Sequence, residues 1–549
     1  MNLKSKSVGK VQGDEMTHND LMHKRYFLFM TEFFAGMAVM AVELSASRLL
    51  APYFSSSQIV WTIIIGTIMI AMALGNYWGG RLADAHPEPD FLYRNLVIAS
   101  LWIAAIPVVG KYLIVGLSGV LMMAVNVHFL TIAAFLSCFI LFVFPLLLLG
   151  TVTPSLAKYT MNNLGEAGRT VGLLGAFNTI GSIIGTFLPT FLTIPAFGTA
   201  MTFILFSGLL LVIAAIYFVF NGGNRRKIIG AAAVFLFCTF LGSGDSFAFW
   251  RDDLVYEGES VYNYLQVRDE GDSRILTTNV LFGVQSIMPK NGGLTGMYYD
   301  YALAAPVAAA SQSEGKPLKI LVLGMGTGTF AMQCHRCFPQ VEVIGVEIDE
   351  KIIDLSHEYF ALSNDVPVIN YDGRAFLTSS SEKYDVIFVD AYQDITIPFY
   401  MSSKEFFEIV KEHLAPNGVM AVNLNMHANQ KGSINEALCD TIRAVFPDVM
   451  SVDVRYGTNR EVFASSGDFT AQLRVGTAAL ENPSLASLMS EIGNNMSAWP
   501  AGQNVLTDDK APVEILGMQA MNGLINDGIK SYQDMLRKEG IEGVLNQLK

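Results

Sequence analysis

Charge is what this sequence most conspicuously lacks. Only 15% of its 549 residues are Asp, Glu, Lys or Arg, while 52% are hydrophobic. Soluble domains carry about 25% charged residues, so a wholly soluble chain is excluded. The deficit is local: residues 26–244 are nearly free of charge, and the rest has an ordinary soluble composition. Cysteine is scarce too. Five cysteines, two of them in the apolar half, rule out a disulfide framework. Cys334 and Cys337 form a CxxC without the second pair that a structural zinc needs, so packing is their expected role and no metal is expected. The net charge of -13 argues against a nucleic-acid partner and suits a cationic substrate. No internal repeat is found in the soluble part.

The apolar half reads as a helical transmembrane bundle. After a polar tail (residues 1–25, with Lys4, Lys6, Lys10, Lys24 and Arg25), apolar runs cover 26–50, 59–79, 96–110, 129–150, 171–188, 201–220 and 228–241. A span takes roughly twenty helical residues, which gives seven spans, or eight if 111–127 is another rather than an interfacial helix. The first run is too long for a cleavable signal, and its basic flank puts the tail in the cytoplasm. Seven spans then leave the soluble half outside. Eight bring it inside but put two of the basic loops 81–94, 158–169 and 225–227 on the wrong face. An intracellular nucleoside pool favours the inside, so the expectation is a multi-pass inner-membrane protein with a cytoplasmic soluble domain. Glu43 and Arg48, near the end of the first run, are expected to pair. Gly172, Gly175, Gly181 and Gly185 suit close helix packing. Nothing here reads as a proton relay or ion pathway.

The soluble half is organised around residues 319–349, KILVLGMGTGTFAMQCHRCFPQVEVIGVEID. An apolar strand runs into the glycine loop Gly324, Gly326, Gly328. A helical segment and a second strand follow, ending at Glu347 and Asp349. The glycines permit a tight turn and close approach to a ligand, and an acid about twenty residues on can bind a ribose diol. Before this unit, 256–268, 274–277 and 280–287 read as small antiparallel strands, and 297–310 as a helix. After it come a helix at 350–360, strands at 366–370, 384–390 and 419–424, and an antiparallel pair at 450–455 and 461–465. Amphipathic helix is expected from about 513. The fold class is therefore a transmembrane bundle (26–246), a small β domain (250–290) and a Rossmann-like domain (291–549).

Acids at successive strand ends carry the chemistry. Glu347 suits ribose hydroxyls, Asp372 beside Gly373 suits an adenine amino group, and Asp349 suits a helix cap or the ligand. Asp390, followed by Tyr392 and Asp394 and expected to face Tyr456, can hold an amine and take its proton.

These residues resemble the polyamine aminopropyltransferase (spermidine synthase) family. The resemblance covers about residues 255–515 and rests on 324–328, Glu347, Asp372-Gly373, YDVIFVD at 384–390, and Ser260-Val261-Tyr262-Asn263 in place of a Ser-x-Tyr-Gln strand. Tyr299 stands where the family has Tyr-His-Glu, and Tyr456 where it has an active-site tyrosine. The apolar half is similar to the membrane domain of bacterial fused members through ELSASRLLAPYF at 43–54, GNYWGGRLAD at 75–84 and NTIGSIIGT at 178–186, as is LTDDKAPVE at 506–514. The resemblance implies a Rossmann-like S-adenosylmethionine-type methyltransferase fold and no tightly bound cofactor. It implies decarboxylated S-adenosylmethionine (or S-adenosylmethionine) as cosubstrate. It also implies a polyamine and the lipid bilayer as partners, with a homodimer as one option. Gly324, Gly326, Gly328, Glu347, Asp349, Asp372, Gly373 and Asn263 would bind the nucleoside. Tyr299, Asp300 and Tyr392 would bind the amine, and Asp390, Tyr456 and Asp394 would be catalytic. The departures are Thr327 where the family's loop carries an amine-binding Asp, Asn263 for Gln, Asp300-Tyr301 for His-Glu, and Asp394 displaced by one. Asp300 is expected to replace the missing charge. Two alternatives stand: a methyltransferase using intact S-adenosylmethionine, and a non-catalytic nucleoside- or polyamine-binding module. The size of the apolar half predicts that it takes part in delivering or recognising the acceptor, with Glu43 and Arg48 as its most informative polar pair.

Overall fold

The computed structural model describes residues 25–523, apart from 87, 125–127, 162–166, 243–245, 281–282, 314, 393–396, 426–429 and 456, together with 530, 534 and 538. The apolar half is helical: α1 (Arg25–Phe54), α2 (Gln58–Ala85), α3 (Pro89–Ala124), α4 (Phe129–Gly150), α5 (Val152–Thr160), α6 (Ala167–Leu188), α7 (Ile194–Phe220) and α8 (Arg225–Gly242). Among the described residues five stretches are long and apolar enough to cross a membrane: Arg25–Phe54, Gln58–Ala85, Pro89–Met122, Phe129–Thr160 and Ala167–Phe220. The count is of unbroken apolar stretches and is smaller than the expected seven or eight spans because two of those runs merge and one is not counted. Helices α6 and α7 run together through a π-helical turn, Pro189–Thr193, and α8 opens with Arg225, Arg226 and Lys227. The segment read as an eighth span is the continuation of α3 to Ala124; 125–127 lie outside the described residues.

Small residues let the helices touch. A Cβ on Gly181 or Gly185 of α6 would run into the backbone of Phe33 or Met37 in α1, whereas Gly172 and Gly175 face open space. Only half of that glycine series is a packing device. The first half of α1 also buries Glu32, which accepts from Thr153 Oγ1 (2.5 Å) and Asn178 Nδ2 (2.8 Å). A carboxyl this deep is costly unless it is hydrogen-bonded.

The soluble half begins with a four-stranded antiparallel sheet in sequential order, β1 (Leu254–Glu259), β2 (Tyr264–Glu270), β3 (Ser273–Thr277) and β4 (Ser286–Pro289). Two short helices follow, α9 (Tyr298–Ala302) and α10 (Ala304–Ala310), where one was expected. The main sheet contains β5 (Leu318–Leu323), β6 (Val341–Glu347), β7 (Val368–Asn370), β8 (Tyr384–Val389), β9 (Leu414–Leu424), β10 (Asp448–Asp453), β11 (Arg460–Ser465) and β12 (Ser497–Ala498). Its order is β12-β10-β11-β9-β8-β5-β6-β7. Strands β5 to β9 pair in parallel, and β11 and β10 add antiparallel. Strand order reverses between β5 and β8, and ligands of such sheets bind in the crevice at the carboxyl ends beside that reversal. Helices α11 (Thr329–Cys337), α12 (Glu350–Tyr359) and α13 (Gly373–Ser379) make the crossovers. Cys334 is fully buried in the core on one face of the sheet, the packing role expected of it.

The two halves share a surface. Val280 N–H donates to Pro52 O (2.9 Å), Tyr53 to Phe247 O (2.8 Å) and Lys111 to Ser246 O (3.1 Å). Glu259, at the end of β1, accepts from Thr199 N (2.6 Å) and Thr199 Oγ1 (2.5 Å), where α7 leaves helical geometry at Gly198 (φ 81°). The apolar core of the bundle also takes in Tyr264 and Val280.

Candidate active site

Strand β5 is apolar and buried apart from the exposed Lys319 near its start, and it ends where only glycine can follow. Gly324 has φ 85°, and its N–H donates to Val346 O (2.9 Å). A Cβ there would lie about 2.5 Å from Asp390 O. The loop therefore passes directly over the end of β8. Gly326 (φ 53°) and Gly328 (φ 82°) carry the chain into α11.

Above these strand ends lies a cavity of about 580 Å³. It is lined by Gly324, Gly326, Asn263, Glu347, Asp372, Gly373 and Asp390 among the expected residues. Glu347 accepts from Gly326 N (2.9 Å) and Asp349 N (3.1 Å). Burial pushes its carboxyl up to about 7 despite those two bonds. Asp372 caps α13 through Ala375 N (2.8 Å). Burial and the neighbouring Asp372 push the Tyr400 phenol up to about 12. Tyr262, Tyr371, Phe399 and Ile515 stand half exposed around this end, a large apolar perimeter for an aromatic base.

Asp390 occupies the other end. Its carboxylate accepts from Asn423 Nδ2 (2.9 Å) and Tyr298 OH (2.9 Å), and Asn423 Oδ1 in turn accepts from Asn459 Nδ2 (2.8 Å). Burial raises it to about 7, against the lowering effect of the two hydrogen bonds. Such a carboxyl is poised to accept a proton near neutral pH. Glu461 lies on β11 opposite Asn423 of β9. It is fully buried, and neither of its oxygens has a hydrogen-bond partner among the described residues. Burial and Asp390 push it well above the usual carboxylate range.

Five expected residues sit elsewhere than in the cavity wall. Asp300 accepts from Thr295 N (3.0 Å), Thr295 Oγ1 (2.8 Å), Gly296 N (2.6 Å) and Gln333 Nε2 (2.5 Å), so its charge is spent on its own loop and on α11. Tyr299 donates to Gln285 O (2.8 Å) and Tyr392 to Met401 O (2.9 Å), and both are buried. Asp349 caps α12 through Lys351 N (3.1 Å) and ties in Ser260 (2.6 Å) and Asn263 (2.9 Å). It positions the small sheet rather than facing the cavity. Asp394 and Tyr456 lie outside the described residues. Thr327 is buried, with no partner for its hydroxyl among the described residues. Gly328 shapes the loop without lining the cavity. Glu43 and Arg48 form no ion pair among the described residues; Arg48 donates to Val261 O instead.

Sequence reasoning missed Tyr298, Asn423, Glu461, Gln285 and, from the apolar half, Ser56 and Gln58, both of which line the cavity. The motif DVIFVD pointed to Asp390 but carried no signal for the neighbouring strands that hold it.

The spermine/spermidine synthase domain matches residues 303–458. A probable polyamine aminopropyl transferase of Bifidobacterium longum is 47% identical over 348 residues, which span 60% of this chain and 77% of that protein. A polyamine aminopropyltransferase of Oceanobacillus iheyensis is 26% identical over 480 residues, 82% of this chain and 84% of its own, a match that necessarily takes in much of the apolar half. Putrescine N-methyltransferase 2 of Nicotiana attenuata is 29% identical over 221 residues, 36% of this chain and 57% of its own. With nearly half of the aligned residues identical to the first of these over 77% of that protein's length, the chain belongs to the polyamine aminopropyltransferase family.

Proposed function

We propose that this aminopropyltransferase binds decarboxylated S-adenosylmethionine between the glycine loop, Glu347 and Asp372, and uses Asp390 to activate a di- or polyamine. The observation that carries this reading is Asp390 itself. It is a buried carboxyl at a strand end, poised near pH 7 and fixed by Tyr298 and Asn423. An ammonium has no lone pair, so the acceptor must first lose a proton to Asp390. Its nitrogen then forms a bond to the methylene beside the sulfonium. The C–S bond breaks, sulfur keeps the electron pair, and methylthioadenosine leaves as a neutral thioether. The positive charge ends on the new secondary ammonium, and Asp390 returns its proton to water.

Recognition of the amines needs a charge that Thr327 lacks and Asp300 does not supply. Glu461, beside Asn423 though outside the cavity wall, is the buried carboxyl best suited to it: burial and Asp390 favour its neutral form, and a cation bound next to it would favour the ionised one. Glu461→Gln is expected to raise the amine KM by about tenfold, the low end for a hydrogen bond to a charged group, with the nucleoside KM within twofold. An unchanged amine KM would remove Glu461 from the amine site. Methyl transfer, the reaction named by the tobacco relative, is separated by product: S-adenosylhomocysteine rather than methylthioadenosine.

Which end of the bundle is basic bears on the side of the membrane. The contacts Lys158–Asp84 (2.7 Å), Tyr217–Asp90 (2.6 Å) and Thr31–Tyr93 (3.1 Å) gather the basic loops at one end. The soluble half meets the other end, through Pro52 and Thr199, where residues 55–57 and 189–199 hold no Lys or Arg. Cytoplasmic loops are the basic ones, which supports a non-cytoplasmic active site, against the cytoplasmic placement expected from the cosubstrate. Cysteines introduced for Glu342 and for Lys227, both exposed, distinguish the two. In intact cells an impermeant maleimide is expected to label the first and spare the second, and the opposite pattern would restore the cytoplasmic placement.

A further inference from the structure

We infer that the nucleoside site is completed by the apolar half: the turn between α1 and α2, residues 55–58, closes over the ribose–adenine end and is latched there by Glu514. The inference rests on the nucleoside reading above and adds a wall to it.

Three observations carry it. Ser56 and Gln58 line the same cavity as Glu347, Asp372 and Asp390. A second cavity of about 140 Å³, between Arg48, Trp61 and β2, shares Ser56, Tyr262 and Asn263 with the first, so the turn is the partition between the two. Finally, Gln58 N–H donates to Glu514 Oε2 (2.8 Å), a bond from the first turn of α2 to the segment 511–515 on the cavity rim.

The chemistry of that bond explains why it holds. The first four N–H groups of a helix have no partner within it. Ser57 satisfies Val60 N (3.3 Å), and Glu514 takes Gln58 N with a negative charge placed where the α2 dipole favours it. The turn itself is kept tight by Ser55 in the left-handed region (φ 68°).

Its position relative to the ligand follows from its neighbours. Asn263, which lines both cavities together with Ser56, hydrogen-bonds Asp349, whose N–H is held by Glu347. Tyr262 is close enough to Tyr400, next to Asp372, to perturb it. Both neighbours belong to the Glu347–Asp372 end, away from Asp390 and Glu461. The apolar half was expected to serve the acceptor through Glu43 and Arg48; the geometry gives it the nucleoside, through Ser56, Gln58 and Glu514.

Calorimetry on the full-length protein in detergent tests this, with methylthioadenosine and S-adenosylhomocysteine as probes because they share adenosine. Glu514→Ala is expected to weaken binding of whichever probe the wild type takes by about tenfold, and to raise the nucleoside KM by the same factor while the amine KM moves less than twofold. Glu514→Gln keeps an acceptor for Gln58 N–H and is expected to bind within threefold of wild type. Ser56→Trp, at an exposed position that tolerates bulk, is expected to abolish binding by filling the wall. Wild-type affinity in both Glu514→Ala and Ser56→Trp would overturn the inference, as would equal losses in the two Glu514 variants. A wild type that binds neither probe overturns the nucleoside reading, and the latch with it.

Discussion

Asp390→Asn is expected to abolish methylthioadenosine formation while leaving nucleoside binding within threefold of wild type. A positioned base contributes about 10²–10⁴-fold, and Asn cannot take a proton, although it can still be held by Tyr298 and Asn423. On the proposed reading the nucleoside is held at the opposite end of the cavity by Glu347 and Asp372, so its affinity is expected to be insulated from the change. The wild-type profile supplies the control. Burial raises Asp390 to about 7, so its basic form predominates only above that pH. kcat/KM is therefore expected to fall on acidification through 7, and the residual rate of the variant is expected to lose that limb. Glu347, also raised to about 7, titrates in the same window. Glu347→Gln separates the two, because the limb persists there if Asp390 is its source. Turnover in Asp390→Asn equal to wild type would sink the assignment of the base.

Much of the nucleoside end was legible in the sequence because its signals are local. A β-strand that stops at a glycine and a second that stops at an acid are each written in a few consecutive residues, and parallel α/β sheets bring such ends together. Gly324, Glu347, Asp372 and Asp390 follow from that rule. The amine end was not legible in the same way. Asn423 and Glu461 reach Asp390 only because β9 and β11 lie beyond β8 in the sheet, after chain reversals that no motif announces. Tyr298 and Tyr299 differ by one residue on a short helix. A step of one turns a side chain by about 100°, so the first phenol meets Asp390 while the second caps Gln285 O. Asp300 carried the right charge, but the loop in front of it offered two backbone N–H groups that claimed it first.

The apolar half shows the same division. Hydrophobicity located its helices, since every expected run falls inside one, but it did not register that α6 and α7 join. Nor did polar residues within the spans mark the contact with the site. The residues that reach the cavity lie in a three-serine turn of unremarkable composition, and their meaning depends on Glu514, more than four hundred positions away.

Gly324→Ala is the substitution expected to damage both ends of the site at once. Gly324 sits at φ 85°, where an L side chain costs about 1–2 kcal/mol, a factor of roughly five to thirty in an equilibrium. The contact is worse than the torsion. The new Cβ would lie about 2.5 Å from Asp390 O and 2.9 Å from Ala391 Cα. These are backbone atoms at the end of a buried strand, so no rotamer change relieves the overlap. Either the glycine loop lifts, breaking the bond from Gly326 N–H to Glu347, or the end of β8 is pushed back and takes Asp390 away from Tyr298 and Asn423. Nucleoside Kd is expected to rise by about tenfold or more, and turnover by a saturated enzyme to fall by about a hundredfold, on the order of one lost positioning effect. Gly373→Ala is the matched comparison. It is also a cavity glycine, but its Cβ would meet only side chains, with Met401 Cε nearest at 3.3 Å, so its effect on turnover is expected to stay within a few fold. Should Gly324→Ala weaken nucleoside binding while leaving saturated turnover untouched, the glycine loop and the base would be mechanically independent, and the close approach of Gly324 to Asp390 would have no part in holding the base in place.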